Sequence, residues 1–329
     1  MCIRDSNNDL SIQSNYEHVT SEIDITSLVD YILINSFVVC TDWINWNTSV
    51  WRGLDPNGSH QKWGFVLWDE DATFNHYINY TNVPNEDPDA YPCYPEWINS
   101  DPLGVIDILN ELLDNDEFTQ YYITRYMDLL NTAFIEDDMI ELLEGIENSI
   151  APDMPQHINR WGGSMFEWRS NVAKIKNFIS DRIDYLPGGL NSCYDLSGPY
   201  NITLDVEPIN TGQIKFNSLT IESDNYPWSG NYHGGINMLV EATGDYAFDH
   251  WEIDHHVISD PYMPSFTLML SQSDNIRGVY SSYITPGIVI NEINYNSSDD
   301  FNPEDWVELY NSSETVSYTH LTLPTTPYV

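Results

Sequence analysis

The chain has 329 residues, 41% hydrophobic and 13% aromatic, enough to bury a sizeable core and to build roughly two or three domains. Its 51 Asp and Glu against 11 Lys and Arg give a formal net charge of −40. That balance argues against nucleic acid or an anionic membrane as partner, because phosphates would be repelled, and it is compatible with divalent cations and with salty surroundings. No run of about 18 apolar residues marks a transmembrane helix, and no signal peptide is visible.

Both ends look foreign to the protein. "MCIRDS" (1–6) can be encoded by ATG TGT ATA AGA GAC AG, and "VSYTHL" (316–321) by GTC TCT TAT ACA CAT CT. These are reverse complements and resemble the end repeat of a transposase-based sequencing adapter. Residues 1–6 and 316–329 are therefore expected to be translated adapter, and the protein an internal fragment. Cys2 falls in that stretch. Cys93 and Cys193 lie in loop-like sequence and could pair in an exported protein, whereas Cys40 sits in an apolar run and reads as core.

In chain order, "IDITSLVDYILINSFVV" (23–39) has apolar residues at helical spacing, with Thr26 or Ser27 as cap. The polar, aromatic turn "CTDWINWN" follows. "SVWRG" and "KWGFVLWD", separated by the turn signal "DPNGS", predict a β-hairpin. Residues 75–102, rich in Pro, Asn and Tyr, predict a long functional loop or lid. Residues 103–186 carry four apolar stripes at helical spacing. Arg169, Lys174, Lys176 and Arg182 on the last of them read as a solvated, salt-bridged face. "PGGLNS" (187–192) reads as a linker. Thereafter the period changes to two, predicting an all-β module over 198–282. "IVINEI" and "WVELYN" then predict strands of a third, incomplete unit over 287–315. "DNDE" (114–117) reads as a helix-boundary acid cluster, and His255 and His256 as surface residues. The fold class is α+β multidomain.

The chemistry concentrates in two short stretches. Asp42 and Asn47 stand five apart in the turn, and Asp69 and Asp71 end the second hairpin strand, where alternation would put both on one face. An Asp, an Asn five residues on, a strand pair and a further Asp is the layout of a protein-kinase active site. Phosphoryl transfer loads charge on oxygens, and Mg²⁺ neutralises it through hard oxygen ligands.

"VDYILINSFVVCTDWINWN…VWRG…KWGFVLWDEDATF" resembles the CotH family of atypical kinases, and the resemblance runs from about Ser21 to Leu186. It implies a kinase-like fold and transfer of phosphate from ATP to protein serines. Carried onto this sequence, Asp42 is the catalytic base and Asn47 and Asp69 are the nucleotide-metal ligands, with Asp71 a second candidate for Mg²⁺ and Glu70 pointing away. Where the family usually has Gly after the Phe, Asn75 stands, a residue that tolerates similar backbone angles. A kinase also needs a basic residue for the α and β phosphates. Past residue 6 the first is Arg52, already beyond the catalytic turn, so the nucleotide-cradling lobe is expected to be missing and this fragment inactive alone. The 198–282 module, with Tyr246, Phe248 and Trp251 as core aromatics, resembles bacterial surface β-repeats, and the third unit resembles the start of a lamin-tail-like domain. Both imply a secreted or cell-surface bacterial protein. The alternative reading is a non-catalytic surface scaffold with a degenerate kinase-like site.

Overall fold

The computed structural model describes residues 9–44, 47–76, 78–79, 82–93, 104–284, 288–295 and 306–311. The adapter-like ends and residues 94–102 of the predicted loop lie outside them. Among the described residues there are seven helices and twelve strands.

Helix α1 (Gln13–Glu22), which the sequence reading lacked, precedes α2 (Ile25–Val38). Helix α2 is capped by Asp24, whose carboxylate accepts from Ser27 N. The cap is thus two residues before Thr26 and three before Ser27, since an N-cap oxygen accepts from the N–H two or three residues on. Leu28, Val29, Ile32, Leu33 and Phe37 are fully buried, so α2 is a central core helix. The hairpin forms from β1 (Ser49–Trp51) and β2 (Gly64–Val66), antiparallel. It stops at Val66, so Asp69 and Asp71 belong to a turn and strand alternation does not orient them. No helix or strand occurs among the described residues of 75–93.

The helical region comprises α3 (Val105–Leu113), α4 (Asp116–Leu130), α5 (Glu136–Ile150), α6 (Met154–Trp161) and α7 (Met165–Tyr194). Asn115 caps α4, accepting from Glu117 N and Phe118 N, so "DNDE" is a helix boundary as expected. The predicted third stripe forms α5, and the short α6 follows in sequence that the reading left between the third and fourth stripes. More informative is α7, which continues through "PGGLNS" for 30 residues. Proline and glycine disfavour helix interiors, yet Leu186 and Leu190 on either side are fully buried. A Cβ on Gly189 would meet the Pro92 ring at 3.1 Å, so the glycine admits the 92–93 segment against the helix. Cys193 on the last turn is bonded to Cys93, Cα–Cα 5.9 Å. Tertiary packing overrides local propensity here, and the linker is a helix.

The β module contains β3 (Ser197–Glu207), β4 (Gln213–Phe216), β5 (Leu219–Ile221), β6 (Trp228–Gly234), β7 (Asn237–Thr243), β8 (Tyr246–Ile253), β9 (Ser265–Met269) and β10 (Asp274–Ile284). They make two four-stranded sheets, β6-β3-β10-β8 and β5-β4-β7-β9. Ile202, Leu204 and Val206 bury every second residue of β3. Rings bridge the sheets, Phe216 to Tyr232 at 4.8 Å and Trp251 to Phe266 at 5.2 Å, which makes the module a sandwich. Phe248 packs on Trp251 at 4.9 Å, and Tyr246 lies against the same core. His256 is not a surface residue: its ring is nearly buried, and Nδ1 lies 2.6 Å from the Asp274 carboxylate. Finally β11 (Ile288–Asn294) and β12 (Trp306–Asn311) pair antiparallel, matching the two predicted strands.

The sandwich is bonded to the helices. Asp128 of α4 is fully buried and accepts from Ser218 N (2.9 Å), Ser218 Oγ (2.5 Å) and Tyr232 Oη (2.9 Å). Arg125 grips Asp30 of α2 through two bonds (2.7 and 2.9 Å) and donates to Ser218 Oγ at 2.9 Å. Asn131 and Asn231 exchange side-chain and backbone bonds at 2.9 and 2.7 Å.

Candidate active site

The site is built where α2 ends. Cys40 N donates to Asn35 O at 3.0 Å, closing the helix through Val39 at φ 49°. A β-branched residue in the left-handed region is strained, and such outliers gather at functional positions. This bend aims residues 40–43 at the acidic turn. Two backbone bonds clamp them together: Thr41 N to Ala72 O and Phe74 N to Val38 O, both 2.9 Å. Thr73 Oγ1 donates to Glu70 O at 2.8 Å, tightening the turn itself. Asp69, Phe74 and Asn75 all have positive φ (59°, 58° and 50°), so Asn75 adopts the backbone that a glycine would.

Within this frame the sequence-predicted residues converge. Asn47 Nδ2 donates to Asp42 Oδ1 at 2.6 Å, and Asn47 Oδ1 accepts from the Trp68 indole at 3.3 Å. The Asn47 carbonyl is tied to the Tyr31 hydroxyl (3.4 Å), which also meets Thr48 Oγ1 (3.0 Å). Burial pushes the Asp42 carboxyl above its ordinary range; the charges of Asp71 and Asp69 add to this, and the Asn47 bond opposes it. Asp69 and Asp71 are exposed, while Glu70 between them is half-buried. Burial likewise raises Glu70, with the Cys40 thiol as opposing hydrogen-bond partner, and its Oε2 accepts no bond. Glu70 is thus less exposed than the two aspartates beside it, yet it stays within range of the Asp42 and Asp69 charges. The Cys40 thiol is itself raised, chiefly by burial, and is free and buried.

This donor set fits a magnesium ion. It is all oxygen, its carboxylates repel one another, and among the described residues the Asn47 amide oxygen is held by one exposed indole. Among the described residues no three His, Cys, Asp or Glu side chains form a metal cage. Mg²⁺ seldom uses one, taking a carboxylate or two and substrate phosphates instead.

Sequence reasoning missed Arg182. Instead of a solvated face, its guanidinium is fully buried. It donates to Phe37 O (3.2 Å), Ser36 O (2.9 Å), Pro88 O (2.9 Å) and Ala90 O. It thus satisfies the last carbonyls of α2, at the negative end of the helix dipole, and straps the 88–90 loop beside them. Burial lowers its pKa. Lys176, by contrast, behaves as predicted, bridging Glu144 (2.9 Å) and Glu147 (3.6 Å). Arg52, the first basic residue beyond the turn, stacks over Trp63 at 4.9 Å and pairs with Glu22 at 3.7 Å.

The profile of the family described as CotH kinase protein matches residues 2–186, more than half of the chain. The protein belongs to that kinase family. No curated protein and no solved structure matches the chain. Among the described residues, no helix is long and apolar enough to cross a membrane.

Proposed function

We propose that this protein is a secreted or cell-surface CotH-type kinase, Mg²⁺-dependent, that moves phosphate from ATP to protein serines. The observation that carries the reading is the 2.6 Å bond from Asn47 to Asp42, set beside a turn whose Asp69 and Asp71 repel Asp42. Asp42 accepts the proton of the acceptor hydroxyl, and its raised affinity for protons suits a base. Asp69 and the Asn47 amide oxygen hold Mg²⁺, with Asp71 the second candidate ligand. When bound, the ion neutralises charge on the phosphoryl oxygens. The Cys93–Cys193 bond supports an oxidising compartment. The sandwich and the β11–β12 pair are proposed as a surface-repeat-like module and the start of a lamin-tail-like domain, spanning 198–282 and 287–315 beside a kinase region of 7–190.

The test is transfer of label from [γ-³²P]ATP by the full-length gene product beside its Asp69→Ala variant. The reading expects label on serine with the wild type and near-background label with the variant. Equal labelling would remove the assignment.

A further inference from the structure

Helix α5 (Glu136–Ile150) has no buried residue. One side of it packs on α7, where Lys176 bridges Glu144 and Glu147 and Ser180 donates to Glu136. A different side carries Leu142, Ile146 and Ile150, which are 67%, 50% and 43% exposed. They stand four residues apart, so they form one ridge about 12 Å long. Single exposed apolar side chains need no explanation, but three in line on one helix make a patch of the kind that a partner covers.

Gly145 is a second, independent observation. It sits in the middle of α5, where glycine weakens a helix. A Cβ there would meet nothing within 4 Å, so no contact among the described residues calls for a glycine. Leu142, Gly145, Ile146, Ser149 and Ile150 follow the spacing of a helix face that packs on another element. Within that face the glycine lets a second backbone approach closely. The notch beside the ridge suits the ridge of another helix.

Charge selects the occupant. Asp138 and Glu141 stand one turn before Leu142 and Gly145, and both are exposed. Lys176 is committed to Glu144 and Glu147 instead. A second copy of the chain would bring another net charge of −40 to this face, and an anionic membrane would be repelled in the same way.

We propose that this face of α5 docks an amphipathic helix of a partner protein, its apolar ridge beside Gly145 and its lysines or arginines facing Asp138 and Glu141. The docking is independent of the chemistry at the acidic turn.

The test is calorimetric titration of the 329-residue chain, in about 0.15 M salt, with three helical peptides of about five turns. The first is built of leucine, alanine and lysine, with an apolar stripe flanked by lysine. The second has the same composition with the stripe scrambled, and the third carries glutamate in place of lysine. The wild type should bind the striped lysine peptide at least about tenfold more tightly than either control, since the face reads both apolar pattern and charge. Gly145→Leu puts a side chain into the notch, leaves the net charge unchanged and improves helix propensity. It should unfold no lower than the wild type, while binding falls at least about tenfold. Asp138→Asn combined with Glu141→Gln should weaken binding and flatten its salt dependence. No binding by the folded wild type, equal binding of the striped and scrambled lysine peptides, or binding that survives Gly145→Leu would each overturn the proposal. So would a wild-type dimer in sedimentation that Gly145→Leu abolishes, because a second copy would then be the occupant.

Discussion

Two buried or half-buried aspartates in this highly acidic chain lead opposite lives. Asp128, at the seam between α4 and the sandwich, is surrounded by donors: Ser218 gives two bonds and Tyr232 a third. Asp42 has one amide donor and two aspartates near enough to repel it. Burial raises both carboxyls, Asp128 to about 6. The contrast is one of partners: a carboxylate whose oxygens are already satisfied joins two parts of a fold, while one crowded by like charge holds its proton more tightly and would gain from a nearby cation.

The largest test of that contrast removes structural polar groups. Arg182→Met should destabilise the chain by about 4 kcal/mol, because carbonyls of α2 and the 88–90 loop lose their donors. Asp128→Ala should cost about 3 kcal/mol at pH 7, stranding Ser218 and Tyr232 at the seam. Asp42→Asn should cost under about 0.5 kcal/mol, since it relieves repulsion. Urea unfolding of the three variants checks the order.

A smaller effect is in pH. Because the folded Asp128 holds its proton to about pH 6, above the ordinary 3.8, the folded state binds more protons in that window. Its contribution to stability therefore rises as pH falls from 7 to 5, by about 1 kcal/mol. In Asp128→Asn that component should vanish, and a wild-type slope that persists in the variant would assign it to other groups. Smallest of all, Asp71→Asn should lower the Asp42 titration midpoint without moving the unfolding midpoint, as followed by carboxyl ¹³C shifts.

The sequence made some of this readable and concealed the rest for physical reasons. The alternation of Ile202, Leu204 and Val206 named a strand because one face is buried. Asp42, Asn47, Asp69 and Asp71 were singled out by residue type, spacing and the family resemblance, and the structure joins Asn47 to Asp42 with Asp69 and Asp71 close enough to raise the Asp42 carboxyl. "PGGLNS" misled because its helix is held from outside, by Leu186, Leu190 and the bond to Cys93. Arg182 was hidden because nothing local distinguishes an arginine facing solvent from one spanning four carbonyls 92 to 146 residues away. Asp128 was hidden likewise, since its partners lie 90 to 104 residues downstream.

The most direct measurement is Mn²⁺ binding to the 329-residue chain, read from the loss of free-ion electron paramagnetic resonance signal, with Mn²⁺ standing in for Mg²⁺. The acidic turn should give one saturable site, competed by Mg²⁺ and weakened at least tenfold in Asp69→Asn, while Asp128→Asn binds as the wild type does. Binding that is unchanged in Asp69→Asn, or only weak and unsaturable in the wild type, would contradict the account.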